Sequence, residues 1–174
     1  MNRDLRIGNR FCRVDGWFHA DNAVIVGDVS IGSQSSIWYG SVLRGDDAPI
    51  RIGERVNIQD LSMVHPDPGI PLEIGDDVTV GHHAIIHCKE IGSCSLIGMG
   101  AVLLEGVRVG SRCLIAAGAV VAPGSEIPDG VLVRGVPGRI VREISSAEES
   151  AILRSASKYA NNAEFFFSQH GEIL

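Results

Sequence analysis

Large rings are scarce in this chain. Aromatic residues make up 5% of its 174 positions, which argues against a wide core of Phe, Tyr and Trp and for a narrow one of small aliphatic side chains. Basic runs are missing and the formal net charge is −6, so neither nucleic acid nor an anionic membrane surface is an expected partner. The four cysteines, Cys12, Cys88, Cys94 and Cys113, show no C-x-x-C spacing. They read as free, mostly packed thiols. No apolar run is long enough to cross a bilayer, and residues 1–6 lack the apolar stretch of a secretory leader. The expectation is a cytoplasmic protein with one real core.

What the chain does have is glycine, 21 residues of it, and a period. An aliphatic residue recurs every six positions at Ile25, Ile31, Ile37 and Leu43. It resumes after three extra residues at Ile52, Ile58 and Val64, and after four more at Ile74, Val80 and Ile86. One residue is then dropped, and Ile91, Ile97, Leu103, Val109, Ile115, Val121, Ile127 and Val133 follow. Gly often comes next, as in Ile52-Gly53, Val80-Gly81 and Ile97-Gly98. A period of six suits neither an amphipathic helix nor a hairpin sheet. It suits an all-β solenoid of short parallel strands, with the aliphatic side chain inside and the small residue relieving crowding at each corner. The insertions at residues 46–50 and 66–71 are expected to bulge from corners, because stacked strands have no room for them.

The repeat ends near Val136-Pro137-Gly138-Arg139, so the solenoid domain is taken as residues 1–142. Beyond it Ser146-Ala147-Glu148-Glu149 reads as a capping box, and Ile152, Ala156, Tyr159, Ala163 and Phe166 follow at helical spacing. A helix over roughly 146–169, within a C-terminal segment 143–174, is expected to pack along the solenoid. Tyr159 reads as a core or interface residue.

The spacing resembles that of the hexapeptide-repeat parallel β-helices. That resemblance implies a triangular prism with three hexapeptides per coil, wound left-handed. On such a prism Leu43, Val64 and Ile86 share one face in successive coils, and the next residues, Arg44, His65 and His87, point outward at about 4.8 Å per coil. His65 and His87 thereby become neighbours able to share a metal, with bonds of about 2.0–2.1 Å to imidazole nitrogen. His82 falls on the preceding face, around a corner, where a second subunit of a cyclic trimer could present it to the other two. Asp60 takes the slot one coil below His82, with Gln59 beside it.

The run Ile37-Trp38-Tyr39-Gly40-Ser41-Val42-Leu43-Arg44-Gly45-Asp46 resembles a segment of the γ-class carbonic anhydrase-like family. So do Asn57-Ile58-Gln59-Asp60, His65, Gly81-His82-x4-His87 and the junction Gly135-Val136-Pro137-Gly138-Arg139, and together these cover nearly the whole chain. The resemblance implies a homotrimer with a metal at each subunit interface, held by His65 and His87 of one chain and His82 of its neighbour. Zinc (Zn2+) is the usual ion, with Fe2+ or Co2+ as alternatives. It also implies that Gln59 orients water or substrate, that Arg44 and Asp46 pair across the subunit boundary, and that Asn57 and Asp60 orient the ligands. His83 is read as a bystander. The plain alternatives are an interface salt bridge for Arg44 and Asp46 and a corner hydrogen bond for Asn57.

Three neutral imidazoles leave a divalent ion one open position for water, whose pKa falls from about 15.7 to near 7. Hydroxide formed there would attack carbon dioxide, the small-molecule substrate, and give bicarbonate. The released proton needs a carrier. Here the sequence departs from the better-known enzymes of the family, which have an acidic loop. The loop Pro66-Asp67-Pro68-Gly69-Ile70-Pro71 is short, and Asp67 and Asp47 are the candidates. Competing readings are a metal-dependent acyl-coenzyme A thioesterase, a coenzyme A-dependent hexapeptide acyltransferase, and a trimeric scaffold without turnover. The three metal-spaced histidines argue against the acyltransferase.

Overall fold

A computed structural model describes residues 10–170 and 172–173. The reading of residues 1–6 lies outside them. The six-residue period becomes a parallel β-solenoid with one C-terminal helix. Its first face stacks Trp17–Ala20, Ser36–Ile37, Asn57–Ile58, Thr79–Val80, Leu96–Ile97, Leu114–Ile115 and Val131–Arg134. Two long strands, Val24–Ile31 and Val42–Ile52, begin on the second face and end on the third. Met63–Val64, Ile85–Ile86, Val102–Leu103 and Val120–Val121 continue the second; Leu72–Ile74, Glu90–Ile91, Arg108–Val109 and Glu126–Ile127 continue the third.

Every periodic aliphatic position from Ile37 to Val133 is buried. Leu43, Val64, Ile86 and Leu103 stack in register with no exposed surface, each contributing about 1.5–3 kcal/mol of burial. Ile25 and Ile31, in the first coil, are half-buried against this core. The small residue after the aliphatic one has a steric cause: a Cβ on Gly98 would lie 2.4 Å from the Ala117 nitrogen of the next coil. Coils could not stack at strand spacing over it.

The outward residues give each face its own character. On the first, Ser36, Asn57 and Thr79 are buried under the helix. On the second, an apolar column runs Val24, Val42, Met63, Ile85, Val102, Val120, with Val24 48% and Ile85 43% exposed. On the third the column is Ser30, Arg51, Glu73, Glu90, Arg108, Glu126. A charged face is at home in water; a bare aliphatic one is not.

One sequence expectation, the helix cap, needs correction. The insertion at residues 46–50 bulges from its corner, as expected. Strand Val42–Ile52 runs through it and takes the extra residues as a register shift opposite Gly27 and Val29, since an extended chain can turn a corner as a bulge. Residues 66–71 do form a loop. The helix spans Ser146–His170, and its cap is Ser145: Glu148 N–H donates to Ser145 Oγ at 3.3 Å and Ser145 N–H donates to Glu148 Oε2 at 2.8 Å. The capping box is therefore Ser145 to Glu148, one residue earlier than expected.

The aromatics form a second, smaller core. Few as they are, all but Trp17 and Phe165 gather in one cluster: Phe11, Phe18, Trp38, Tyr39, Tyr159, Phe166 and Phe167. It fastens the helix to an antiparallel hairpin, Phe11–Val14 with Trp17–Ala20, that the period did not announce. The hairpin turn is Asp15-Gly16, both at positive φ (44° and 90°), as such turns require. At the other end Arg139–Glu143 pairs antiparallel with Val131–Arg134.

Candidate metal centre

Register brings His65 and His87 together. Leu43 pairs Val64 and Val64 pairs Ile86, so the outward residues that follow are neighbours. The two rings stack with centroids 5.6 Å apart and planes within 24°. His87 Nδ1 lies 2.5 Å from the His65 carbonyl. A carbonyl only accepts, so Nδ1 carries the proton and Nε2 is left with its lone pair. Asp67 Oδ1 stands 2.7 Å from that Nε2.

His65 Nε2 is buried and has no hydrogen-bond partner. Asp47 Oδ2 at 3.1 Å and Asp46 Oδ1 at 3.6 Å are near it without hydrogen-bond geometry. Asp46, Asp47 and His65 form a group whose donor atoms all lie within 4.8 Å of one another. Asp46 is in turn clasped by Arg44, through Nη2 to Oδ2 at 2.8 Å and Nε to Oδ1 at 3.3 Å. That guanidinium holds the Asp46 carboxyl below its ordinary pKa. Within the chain this pair closes because residues two apart on a strand point the same way. Exposed pairs of this kind contribute little stability, about 0–1 kcal/mol, so its effect is to position Asp46.

His82 stands elsewhere, at the corner after the first face. Ile58 pairs Val80, which sets Asp60 directly below it, and Asp60 Oδ2 accepts from His82 Nδ1 at 2.8 Å. Its Nε2 then has the lone pair and accepts from the Tyr159 hydroxyl at 3.5 Å. Burial, with Asp60 nearby, pushes the Tyr159 pKa up. His83, beside it, is the left-handed corner residue (φ 59°).

Gln59 and Asn57 are buried. Gln59 Nε2 donates to Asn57 Oδ1 (3.0 Å), Asn57 Nδ2 to Thr79 Oγ1 (2.9 Å), and Thr79 Oγ1 to Ser155 Oγ on the helix (3.3 Å). Such a satisfied chain fixes the Gln59 side chain in place. Gln59 and His82 open onto a groove of about 330 Å³ lined also by Leu96, Met99, Leu114 and Ala117. Sequence reasoning missed Thr79 and Ser155 and placed Tyr159 only in packing. Thr79 was visible as the outward slot one coil above Asn57; the helix residues carried no signal.

These donors fit a divalent cation. One imidazole nitrogen is buried without a partner, and two others have Nδ1 tied to a carbonyl or carboxylate oxygen, the usual support of a metal-binding histidine.

The sequence pattern of the family "Bacterial transferase hexapeptide (six repeats)" matches residues 89–123. The chain is 48% identical to a probable carbonic anhydrase of Methanocaldococcus jannaschii, over 83% of this chain and 91% of that one. It belongs to the γ-class carbonic anhydrase-like family. It is also 41% identical to the mitochondrial gamma carbonic anhydrase 2 of Arabidopsis thaliana, over 89% of this chain, and spans 58% of that relative's length. A crystal structure of a candidate acetyltransferase from Bacillus cereus superposes with a TM-score of 0.87 at 39% identity, covering 90% of this chain and 91% of the other. This γ-class carbonic anhydrase-like chain thus shares its solenoid with proteins given transferase names.

Proposed function

We propose that the protein hydrates carbon dioxide to bicarbonate as a homotrimer, at a metal shared between His65 and His87 of one chain and His82 of the next. The observation that carries this reading is the buried, unpartnered Nε2 of His65 stacked on His87. A divalent ion there would make bound water acidic enough to react near neutral pH. Zinc is the first candidate, and Fe2+ and Co2+ suit the same nitrogens.

The chain's own groups divide the remaining work. Gln59 has its nitrogen committed to Asn57, so its oxygen is left to accept from, and orient, a water in the groove. The aliphatic wall of Leu96, Met99 and Leu114 suits an uncharged, apolar substrate. Hydration consumes one water and one carbon dioxide and yields bicarbonate and a proton. Asp47, 3.1 Å from His65 Nε2 and 42% exposed, is the carboxylate placed to pass that proton to solvent. Asp60 and Asn57 position; they touch no substrate. The bare apolar second face is the surface that supports trimerisation.

Metal content of protein purified without chelators, followed by a carbon dioxide hydration assay, tests the reading. About one ion per chain and hydration that disappears in His82→Ala are expected; a metal-free protein that refuses loading would sink it. The groove also favours a second reading, hydrolysis of a short acyl thioester, and assays on acyl-coenzyme A separate the two.

A further inference from the structure

We infer that Met99 of one chain seats against Leu104 of the next, and that the two side chains form an apolar roof one coil above the shared ion. This rests on the shared metal site proposed above. His82 and Met99 each follow a buried aliphatic residue of the first face by two positions, and those aliphatics, Val80 and Ile97, are paired. His87 and Leu104 each follow a buried aliphatic residue of the second face by one, and Ile86 pairs Leu103. Met99 therefore stands above His82, and Leu104 above His87, at about 4.8 Å. The apolar column of the second face lies between these two edges and runs the length of the solenoid. A three-fold axis along that column keeps coils of equal height together. The rotation that brings His82 to His87 of the next chain then brings Met99 to Leu104.

The same offset matches like with like along the whole boundary. One coil higher it sets Ala117 against Ala122, two small residues that let the solenoids close. Below the ion it sets Asp60 against His65 and Tyr39 against Arg44, polar with polar. A lone exposed methionine is ordinary on a protein surface. Met99, however, is 59% exposed beside a face whose Ile85 is 43% exposed, and Leu61, 56% exposed, stands on the same edge. Aliphatic surface gathered in this way marks a protein contact. Met99 also lines the groove with Leu96 and Leu114. Leu104 of the next chain supplies the wall that this groove lacks in one chain alone.

The test combines Met99→Cys with Leu104→Cys in the whole protein, oxidises it in solution and runs it on denaturing gels without reductant. Within one chain the two positions lie at opposite edges of the second face, beyond the about 7 Å that a disulfide spans, so only chains can be joined. Covalent dimer and trimer should dominate and return to monomer with reductant, while each single variant stays monomeric. A second pair keeps the test open should the cysteine variant not fold. Met99→Glu buries an unpaired charge and should weaken the trimer at least about tenfold on dilution; Leu104→Lys added to it should recover most of that loss. A trimer that takes up Co2+ yet shows neither cross-link nor charge rescue overturns the contact and leaves the shared site standing. Wild type that scatters light as a monomer and takes up no Co2+ overturns both.

Discussion

His65 and His87 are 22 residues apart in sequence and lie face to face, ring centroids 5.6 Å apart. Their nearness is a product of the ladder between Val64 and Ile86, so the geometry is as rigid as the solenoid. Residues that hold such rings, and not only the rings, should matter to affinity.

Asp60 is the first of these. With its carboxylate 2.8 Å from His82 Nδ1, Asp60→Asn should weaken metal binding about 10–100-fold while leaving the fold intact. Chelator competition measures it. Unchanged affinity would mean that His82 needs no support from below.

His83 should behave in the opposite way. It occupies a left-handed corner at φ 59°, a conformation that costs a side-chain-bearing residue about 1–2 kcal/mol. His83→Gly is expected to keep the metal and to match or exceed the wild type in urea midpoint. Loss of metal in this variant would promote His83 from bystander to participant.

The apolar column predicts the subunit boundary. Ile85 points out of the second face, 43% exposed, between Met63 and Val102. Ile85→Glu should convert the proposed trimer to folded monomers, read by light scattering, whereas Glu73→Gln on the third face should leave the mass unchanged. A trimer that survives Ile85→Glu assembles through another face.

At the helix start, hydrogen bonds from the Arg142 side chain and from the Ser145 backbone and hydroxyl hold the Glu148 pKa well below that of a free glutamate. A depressed carboxylate stabilises the fold above its unfolded pKa, about 4.3, and that contribution fades as pH falls below it. The difference in denaturation midpoint between wild type and Glu148→Gln should therefore shrink from pH 7 to pH 3. Ser145→Ala, which removes the cap, should cost about 1 kcal/mol at neutral pH.

The solenoid was legible because its cause is periodic: an aliphatic residue every sixth position can be buried in only one kind of coil. The neighbourhood of His65 and His87, and Asp60 below His82, followed from the same count. What the count could not see was set by irregular contacts. The Arg44 to Asp46 pair closes within a strand because the insertion stays extended. The aromatic cluster joins residues from Phe11 to Phe167 that no period links. Ser145 takes the cap from Ser146 because Arg142 and Ser145 both reach Glu148.

A stack of parallel strands has no natural last member, since its top coil offers the same open ladder that the coil beneath it did. On the first face the chain answers this by running backwards: Trp17–Ala20 is met by Phe11–Val14 at one end, and Val131–Arg134 by Arg139–Glu143 at the other. Gly138 and Gly135 also bond Val120 on the adjoining face. These reversed segments make the molecule finite. Without Arg139–Glu143, the exposed edge would invite another copy end to end, and the same regularity that aligns the histidines would drive growth into fibres.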